Sequence, residues 1–184
     1  ANIRYLHHLG EVTYFSPLAD TSLPDAGFVY LPGGYPELYL AALSANRQML
    51  QSIRRYVESG GKLLAECGGM MYLCDEIRDK NGYVYPMAGV LHQSATMENM
   101  KLRLGYRTLL YNETRLKGHE FHYSRLVEQQ NPLPSCAVAY TAKGVETDTP
   151  LYHYKNVWAG YTHLYWADPV GNEWFTKFVI DGNT

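Results

Sequence analysis

The first third of the chain alternates between helical spacing and short apolar runs. Ile3 and Leu6 share one face of a predicted helix that ends at Gly10, and residues 12–15 alternate as a β-strand does. A second apolar run occupies residues 28–31 and ends in a glycine pair. The pattern therefore predicts a helix followed by two strands.

The next segment predicts a helix, a third strand and a further helix. Helical spacing begins at Glu37. The apolar residues that share one face of this helix are Leu50, Ile53, Tyr56 and Val57. A short apolar strand at residues 62–66 runs into Cys67, and a helix then extends to about Arg78. Strands that alternate with helices predict a parallel sheet with helices on its faces.

The second half predicts mainly antiparallel strands. The strand-like segments, rich in Tyr, Val and Thr, are RLGYRTLLY, GHEFHYSRL, CAVAYTA and VWAGYTHLYW. A C-terminal helix is predicted from about Pro169 to Ile180. Because we find no repeat or linker, we expect residues 1–184 to form one α/β domain, with a largely parallel sheet and additional antiparallel strands.

The composition disfavours several classes of function. The 184 residues are 46% hydrophobic and 18% charged, as in an ordinary globular domain with its own core. A net charge of −2 provides no basic surface for nucleic acid or for a membrane. The sequence has no apolar run long enough to span a bilayer and no signal-peptide pattern.

Three cysteines bear on metal binding and on the cellular compartment. Cys67, Cys74 and Cys136 cannot all pair, and none of their spacings matches a zinc ligand set. We therefore predict no metal site and a reducing cytoplasm. Cys74 and Cys136 are most simply interpreted as packing residues.

Cys67 differs from the other two because of its segment, KLLAECGGMMYL. An apolar strand, a cysteine, two glycines and a predicted helix form the arrangement that lifts a nucleophile out of a sheet. The start of a helix also favours a thiolate. A buried structural thiol is the alternative, since that is the commonest state of a free cysteine.

Two Gly-rich turns follow predicted parallel strands. PGGY follows residues 28–31 and CGG follows residues 62–66, so both lie at the carboxyl edge of the sheet, where α/β proteins bind ligands. Their backbone amides are placed to form an oxyanion hole beside the cysteine. Phosphate binding is disfavoured because no G-x-x-x-x-G-K-[ST] motif occurs.

A thiolate nucleophile needs a base, and the histidines supply the candidates. His163 follows a strand of the second half, from which it can reach a nucleophile of the first half. His119 and His122 are alternatives, as hydrogen-bonding residues of a pocket wall. The remaining histidines are interpreted as surface, loop or packing residues: His7, His8, His92 and His153.

Four segments, in this order, resemble one family. LPGGYPEL at 31–38, AECGGMMYL at 65–73, GHEFHYS at 118–124 and THLYW at 162–166 are similar to the triad-type (class I) glutamine amidotransferase domain of cobyrinic acid a,c-diamide synthases. The resemblance covers nearly the whole chain. It implies a flavodoxin-like fold, hydrolysis of glutamine to glutamate and ammonia, and a place in the C-terminal part of a longer synthase.

The resemblance implies a role for each candidate residue. Cys67 would attack the glutamine carboxamide. His163 would pass a proton to the departing ammonia and then activate water. The residues implied for the oxyanion hole and substrate binding are Gly33, Gly34, Tyr35 and Gly68.

Two departures from the family pattern lead to further expectations. Many triad amidotransferases carry a glutamate two residues after the histidine, but here this position is Tyr165. Glu120 is the candidate substitute, with Asp168 behind it, and a Cys-His dyad is the alternative. The family also implies a strand before the first helix, at the centre of the sheet, and we find no such strand in the sequence.

The resemblance also implies partners beyond this chain. Ammonia would pass to an ATP-dependent synthetase domain of the same polypeptide, which would amidate the a and c acetate side chains of the corrin in cobalamin biosynthesis. ATP and Mg²⁺ are expected in that domain, since this chain has no P-loop, and no cofactor is expected here. The corrin would be reached only through the synthetase domain.

Three alternatives stay open. The first is the amidotransferase of the related cobyric acid synthases, and the second is a cysteine hydrolase on the same scaffold. The third is a non-catalytic domain that docks onto a synthetase, for which we expect Cys67 to be buried and His163 to lie far from it. The aromatic residues near His163 are interpreted as core packing or as a docking surface: Trp158, Tyr161, Tyr165 and Trp166.

Overall fold

The computed structural model describes residues 2–181. Its helices are α1 (Asn2–Leu9), α2 (Leu40–Ala45), α3 (Arg47–Glu58), α4 (Gly68–Leu73) and α5 (Pro169–Thr176). A single 3₁₀ turn, Pro36–Leu38, precedes α2, and a π-helical turn, Lys177–Asp181, follows α5.

The strands are numbered in chain order. They are β1 (Phe28–Leu31), β2 (Lys62–Glu66), β3 (Cys74–Arg78), β4 (Val84–Pro86), β5 (Leu91–Thr96), β6 (Arg103–Tyr111), β7 (Thr114–His122), β8 (Arg125–Leu126), β9 (Val138–Thr141), β10 (Glu146–Thr147), β11 (Leu151–Tyr154), β12 (Val157–Gly160) and β13 (His163–Leu164).

These strands form three sheets. The central sheet has the order β1-β2-β12-β11, in which the first three strands are parallel and β11 is antiparallel. An antiparallel sheet has the order β10-β9-β6-β7-β13, and a smaller mixed sheet has the order β4-β3-β5-β8. Parallel strands with flanking helices confirm the predicted α/β class and agree with a flavodoxin-like amidotransferase fold.

Alternation along the central strands directs side chains into two cores. Val29 and Leu63 belong to the cluster that packs against α3 and α4, whereas Tyr30 and Leu64 point to the opposite face. That second face packs against α5 and the antiparallel sheet, and Trp158 is fully buried there. Because both faces are covered, the central strands form short apolar runs in the sequence.

Helix α3 follows the predicted amphipathic pattern. The residues predicted to share its apolar face are buried or half-buried: Leu50, Ile53, Tyr56 and Val57. Asn46 caps the start of α3, where its side chain accepts a hydrogen bond from the Met49 amide (3.3 Å). This cap separates α3 from α2, so the helix predicted to run on from Glu37 is interrupted.

Two predicted elements are wrong. The helix after Cys67 ends at Leu73, where Cys74 turns the chain into an extended conformation and residues 74–78 pair with β4 and β5. Residues 12–15 form a loop that pairs with no strand among the described residues. An alternating sequence becomes a β-strand only where a neighbouring strand satisfies its backbone groups.

The outer edge of β1 is open. In the described part of the chain β1 pairs with β2 alone, and a groove of about 1020 Å³ separates its free edge from α1 and residues 12–15. The strand implied by the family resemblance is not among the described strands. Those strands leave no gap inside the central sheet, and the groove lies between the free edge of β1 and residues 12–15.

The second half forms antiparallel strands as predicted. β6 and β7 pair over their full length, and β9 pairs along the other side of β6. Residues 157–166 divide between two sheets, because β12 joins the central sheet whereas β13 pairs with β7. This division places His163 at the junction of the two sheets.

Candidate active site

Cys67 lies at a sharp turn between β2 and α4. Its backbone has φ 50° and ψ −113°, in a region that residues with a side chain rarely adopt. The turn is fixed on both sides, because the Cys67 amide donates to the Gly160 carbonyl (2.8 Å) and the Cys67 carbonyl accepts from the Met71 amide (3.0 Å). A strained residue at a strand-to-helix junction has the geometry of a nucleophile elbow.

Two glycines of α4 bring this helix against the end of β1. A β-carbon on Gly68 would lie 2.7 Å from the Gly34 carbonyl oxygen, and one on Gly69 would lie 2.3 Å from the Leu31 carbonyl oxygen. No side chain fits at such distances. The two Gly-rich turns are therefore in contact, as an oxyanion hole formed by both requires.

His163 reaches Cys67 from the antiparallel sheet. It begins β13, where it lies opposite His119 of β7. Interaction with the Cys67 thiol and, second, with the Glu66 carboxylate raises the pKa of His163 to about 9, against the opposing effect of burial. The Cys67 thiol itself donates to the Phe121 carbonyl oxygen (3.7 Å). A β-carbon on Gly33 would lie 3.1 Å from Cε1 of His163, so the first glycine turn packs against the same imidazole.

A buried carboxylate lies beside His163. Glu66, the last residue of β2, is 1% exposed, and its Oε2 lies 3.6 Å from His163 Nδ1. The same oxygen accepts a hydrogen bond from the Tyr30 hydroxyl (2.6 Å), and Oε1 accepts one from the Leu164 amide (2.9 Å). Glu66 is not among the residues predicted from the sequence. Its position at the end of an apolar buried strand is nevertheless a signal, since a buried carboxylate needs partners.

Glu120 does not lie beside His163, so the prediction that it replaces the missing glutamate is wrong. It is buried on β7, where Oε2 forms an ion pair with Arg107 Nη2 (2.9 Å) and Oε1 accepts a long hydrogen bond from the Thr162 hydroxyl (3.4 Å). In the part of the chain that the structure describes, no hydrogen bond or ion pair joins it to His163. The reason is strand alternation: His119 faces His163, so its neighbour Glu120 points to the opposite face.

The second candidate, Asp168, also has another role. Its carboxylate accepts a hydrogen bond from the Gly171 amide (2.7 Å) and caps the start of α5. Its other oxygen lies 3.8 Å from Lys117 Nζ. Neither contact involves the imidazole of His163, so the carboxylate nearest to that ring is Glu66.

A small cavity opens beside Cys67. It measures about 10 Å³ and lies between the two turns, α4 and the end of β7. Three aromatic side chains at its rim are well exposed: Tyr35, Phe121 and Tyr123. The volume suffices for about one water molecule, so any larger ligand has to displace side chains at this rim.

His119 and His122 lie on opposite faces of β7. His119 stacks on His163 with ring centroids 5.1 Å apart, and burial followed by repulsion from His163 lowers the pKa of His119. His122 stacks on Tyr161 at 3.7 Å, with Nδ1 2.9 Å from the Ser124 carbonyl oxygen, and burial lowers the pKa of His122. Both rings favour the neutral form, whereas the raised pKa of His163 favours its protonated form.

A family model places the chain in a known family. The model for the CobB/CobQ-like glutamine amidotransferase domain matches residues 1–170. The chain belongs to this family. The membership confirms the resemblance predicted from the four sequence motifs.

Three curated relatives of this amidotransferase domain carry related names. A hydrogenobyrinate a,c-diamide synthase from Pseudomonas aeruginosa is 39% identical over 171 residues, which cover 90% of this chain and 38% of the relative. A cobyrinate a,c-diamide synthase from Fusobacterium nucleatum subsp. nucleatum is 39% identical over 173 residues, which cover 89% of this chain and 38% of the relative. A cobyrinate a,c-diamide synthase from Picrophilus torridus is 40% identical over 177 residues, which cover 89% of this chain and 36% of the relative. This chain therefore spans less than half the length of these relatives.

Most aromatic residues near His163 in the amidotransferase domain belong to the core. Trp158, Tyr161 and Trp166 are at most 4% exposed, so the interpretation of these three as a docking surface is wrong. Tyr165 is 48% exposed. Alternation at the end of β13 accounts for the difference, since Leu164 and Trp166 turn inward while Tyr165 turns outward.

The remaining cysteines are poorly suited to catalysis. Cys67, Cys74 and Cys136 are all unpaired. Burial raises the pKa of Cys136 to about 11 and that of Cys74 further still, which favours their neutral thiol forms. Within residues 2–181, no group of three or more His, Cys, Asp or Glu residues is placed to hold a metal ion, and no helix has the length and apolar character needed to cross a membrane.

Proposed function

We propose that this amidotransferase domain hydrolyses glutamine through a thioester on Cys67. The observation that carries the proposal is that His163 lies beside Cys67, whose backbone is strained: a β-carbon on Gly33 would meet both residues, at 3.1 Å from Cε1 of His163 and 3.4 Å from Cβ of Cys67. Cys67 follows β2 of the central sheet, whereas His163 begins β13 of the antiparallel sheet. Their proximity therefore does not result from one local motif. A domain that only docks onto a synthetase was expected to bury Cys67 and to keep His163 far from it. Cys67 is buried, at 6% exposed, but His163 lies beside it, and this proximity disfavours the docking alternative.

The proposed reaction needs one thiol and one imidazole. The Cys67 sulfur forms a bond to the carboxamide carbon of glutamine, and the carbon–nitrogen bond breaks as His163 gives its proton to the departing ammonia. Water then attacks the thioester carbon while His163 takes up one water proton, and glutamate leaves as the carbon–sulfur bond breaks. The thiolate and the protonated imidazole are thereby restored.

The oxyanion of each tetrahedral intermediate needs donors that point at the carbonyl oxygen. We assign this role to the Gly68 amide and to an amide of the turn at residues 33–35. The close approach of Gly68 to Gly34 supports the assignment, because it places both backbones beside Cys67. Donors already in position stabilise the developing charge without reorganisation.

The ammonia acceptor is proposed from the relatives. Two of them are named cobyrinate a,c-diamide synthases, and this chain covers only part of their length. We propose that a synthetase domain of the same polypeptide uses ATP, Mg²⁺ and this ammonia to amidate the a and c side-chain carboxylates of cobyrinic acid in the cytoplasm. The cobyric acid synthases are the runner-up, since the matching family includes that type of amidotransferase.

An apolar face next to the site is the surface we assign to that synthetase domain. Leu104 and Tyr106 of β6 lie opposite Phe121 and His119 of β7, and His119 in turn lies opposite His163. Leu104 and Tyr106 are 59% and 76% exposed, although the other face of this sheet is buried. A domain that covers this face would shield ammonia as it leaves Cys67.

The proposal is tested by comparing two nitrogen sources in the full-length protein. Cys67→Ser should abolish glutamine-dependent amidation of cobyrinic acid and leave ammonium-dependent amidation intact, because only the thioester step needs the thiol. Glutamine-dependent amidation by Cys67→Ser at the wild-type rate would refute the proposal. Cys136→Ser is the matched control and should support both reactions.

Tyr106→Ser tests the docking face. It should lower only the glutamine-dependent reaction, because that reaction alone needs ammonia to be shielded as it leaves Cys67.

A further inference from the structure

We infer that Glu66 is the residue that positions His163, and that Tyr30 fixes the Glu66 carboxylate for this task. The inference rests on the proposed glutaminase function and adds the third member that the sequence left open. Glu66 does not touch the thiol or the substrate cavity, so it acts through the imidazole. It differs from the family pattern, in which the carboxylate follows the histidine along the chain.

The strand register explains how the carboxylate arrives at this point. Tyr30 of β1 lies opposite Leu64 of β2, and Glu66 follows Leu64 by two residues, so Tyr30 and Glu66 project from the same face of the sheet. The Tyr30 hydroxyl donates to Oε2 of Glu66 at 2.6 Å. Burial and the nearby Glu66 charge raise the pKa of Tyr30, so the phenol keeps the proton that it donates.

The second oxygen of Glu66 is fixed by the segment that carries the histidine. The Leu164 amide donates to Oε1 at 2.9 Å, and Leu164 directly follows His163. The Glu66 carboxylate therefore joins the end of β2 to β13. Because Cys67 is the next residue after Glu66, one short segment bears the nucleophile and also holds the base in place.

The position of the Glu66 carboxylate favours one tautomer of the imidazole. Oε2 of Glu66 lies 3.6 Å from His163 Nδ1, just beyond hydrogen-bond distance, and an ionised carboxylate only accepts hydrogen bonds. We therefore place the proton of a neutral His163 on Nδ1. This leaves Nε2 to exchange protons with the sulfur of Cys67 and with the leaving ammonia.

The charges around His163 favour its protonated form. The titratable groups that face the ring are Cys67 at the turn, Glu66 on β2 and His119 on β7. The His119 ring is held neutral, as its lowered pKa indicates. Glu120 lies on the opposite face of β7 and is paired with Arg107, so Glu66 is the carboxylate that acts on the ring.

The test is a nitrogen NMR titration of the full-length protein labelled with ¹⁵N-histidine, with His163 assigned from the His163→Gln variant. We expect the wild-type ring to titrate at about 9 and to carry its proton on Nδ1 when neutral. Glu66→Gln is nearly isosteric and should lower the pKa of His163 by about one unit or more. Glu66→Asp keeps the charge and should give an intermediate value.

Glu120→Gln is the matched control, because it also neutralises a buried glutamate of the same region. It should leave the pKa and the tautomer of His163 unchanged, even if it lowers thermal stability. An Nε2–H tautomer in the wild type, or an unchanged pKa in Glu66→Gln, would overturn the inference. The wild-type tautomer is informative even if Glu66→Gln fails to fold.

A second readout separates this inference from the proposed function. In a glutaminase, the alkaline limb of the kcat profile should move to lower pH in Glu66→Gln together with the NMR pKa. Suppose that His163 of the wild-type protein shows the expected pKa and tautomer, but the protein hydrolyses no glutamine. This result would refute the proposed function and leave the positioning role of Glu66 intact. Hydrolysis with an unchanged alkaline limb in Glu66→Gln would refute the positioning role and leave the function.

Discussion

The spacing around Gly33 determines whether the nucleophile and the base can meet. Gly33 has φ +108°, and a β-carbon there would lie 3.1 Å from Cε1 of His163 and 3.4 Å from Cβ of Cys67. A side chain at this position would therefore meet both reacting residues. The glycine turn therefore sets the spacing between the proposed nucleophile and the proposed base.

Gly33→Ala should lower kcat for glutamine hydrolysis by about 100-fold, because it displaces His163 from Cys67. Gly34→Ala provides the comparison: its φ is +128°, so it suffers similar backbone strain, but a β-carbon there meets no atom within 4 Å. The loss in Gly34→Ala should be clearly smaller. Equal losses in the two variants, measured by ammonia release, would show that strain rather than the clash controls the site.

At the scale of elements, the contact between α4 and β1 orients the elbow. α4 is short and all of its residues are buried, so its placement depends on packing rather than on its own helical stability. Gly69 is the point of closest approach, since a β-carbon there would lie 2.3 Å from the Leu31 carbonyl oxygen and 2.7 Å from the Leu31 side chain.

Gly69→Ala should lower the free energy of unfolding by about 1–3 kcal/mol, because α4 or β1 has to move to admit a methyl group. Gly27→Ala is the control, since no atom lies within 4 Å of the corresponding β-carbon, and its effect should stay within about 0.5 kcal/mol. Urea denaturation followed by tryptophan fluorescence measures both. A Gly69→Ala variant as stable as the wild type would contradict the packing described here.

Elements with strong local patterns were predictable from the sequence. Helix α3, the strands at 28–31 and 62–66, and the long strand β6 carry clear periodicities, and the structure has them. The wrong predictions concern segments whose state depends on distant partners. Residues 74–78 become a strand because β4 and β5 flank them, and residues 12–15 remain a loop because an open groove separates them from β1.

The candidate site was only partly predictable for the same reason. Cys67 and the glycine turns have local motifs, and His163 was proposed from its place after a strand. The carboxylate depends on register: one position along β7 separates His119, which faces His163, from Glu120, which does not. Glu66 could not be paired with His163 before the two sheets were known to meet at β13.

At the scale of the whole molecule, the histidines make stability depend on pH in two directions. The folded pKa of His163 is raised to about 9, so its contribution is complete below about 6.5, its ordinary value, and is lost as pH rises through about 9. Burial lowers the folded pKa of three others: His119, His122 and His153. Their contribution is present above about 6.5 and is lost as pH falls.

The histidines should therefore give the unfolding free energy a maximum near about pH 6.5, with a decline on either side. His163→Gln should remove most of the decline between about 6.5 and 9, because it deletes the one histidine whose pKa is raised. The acid decline should persist in this variant. Urea titrations at several pH values measure the curves, and an unchanged alkaline decline in His163→Gln would contradict the assignment.

The measurement that tests the central claim most directly is peptide mass spectrometry of the full-length protein after treatment with 6-diazo-5-oxo-norleucine, a glutamine analogue that alkylates amidotransferase thiols. The account predicts a single label on the peptide that contains Cys67, prevented by excess glutamine and slowed in His163→Ala. Cys74 and Cys136 should remain unlabelled because burial favours their thiol forms. Absence of label at Cys67, or equal labelling of Cys136, would contradict a glutaminase site at this turn.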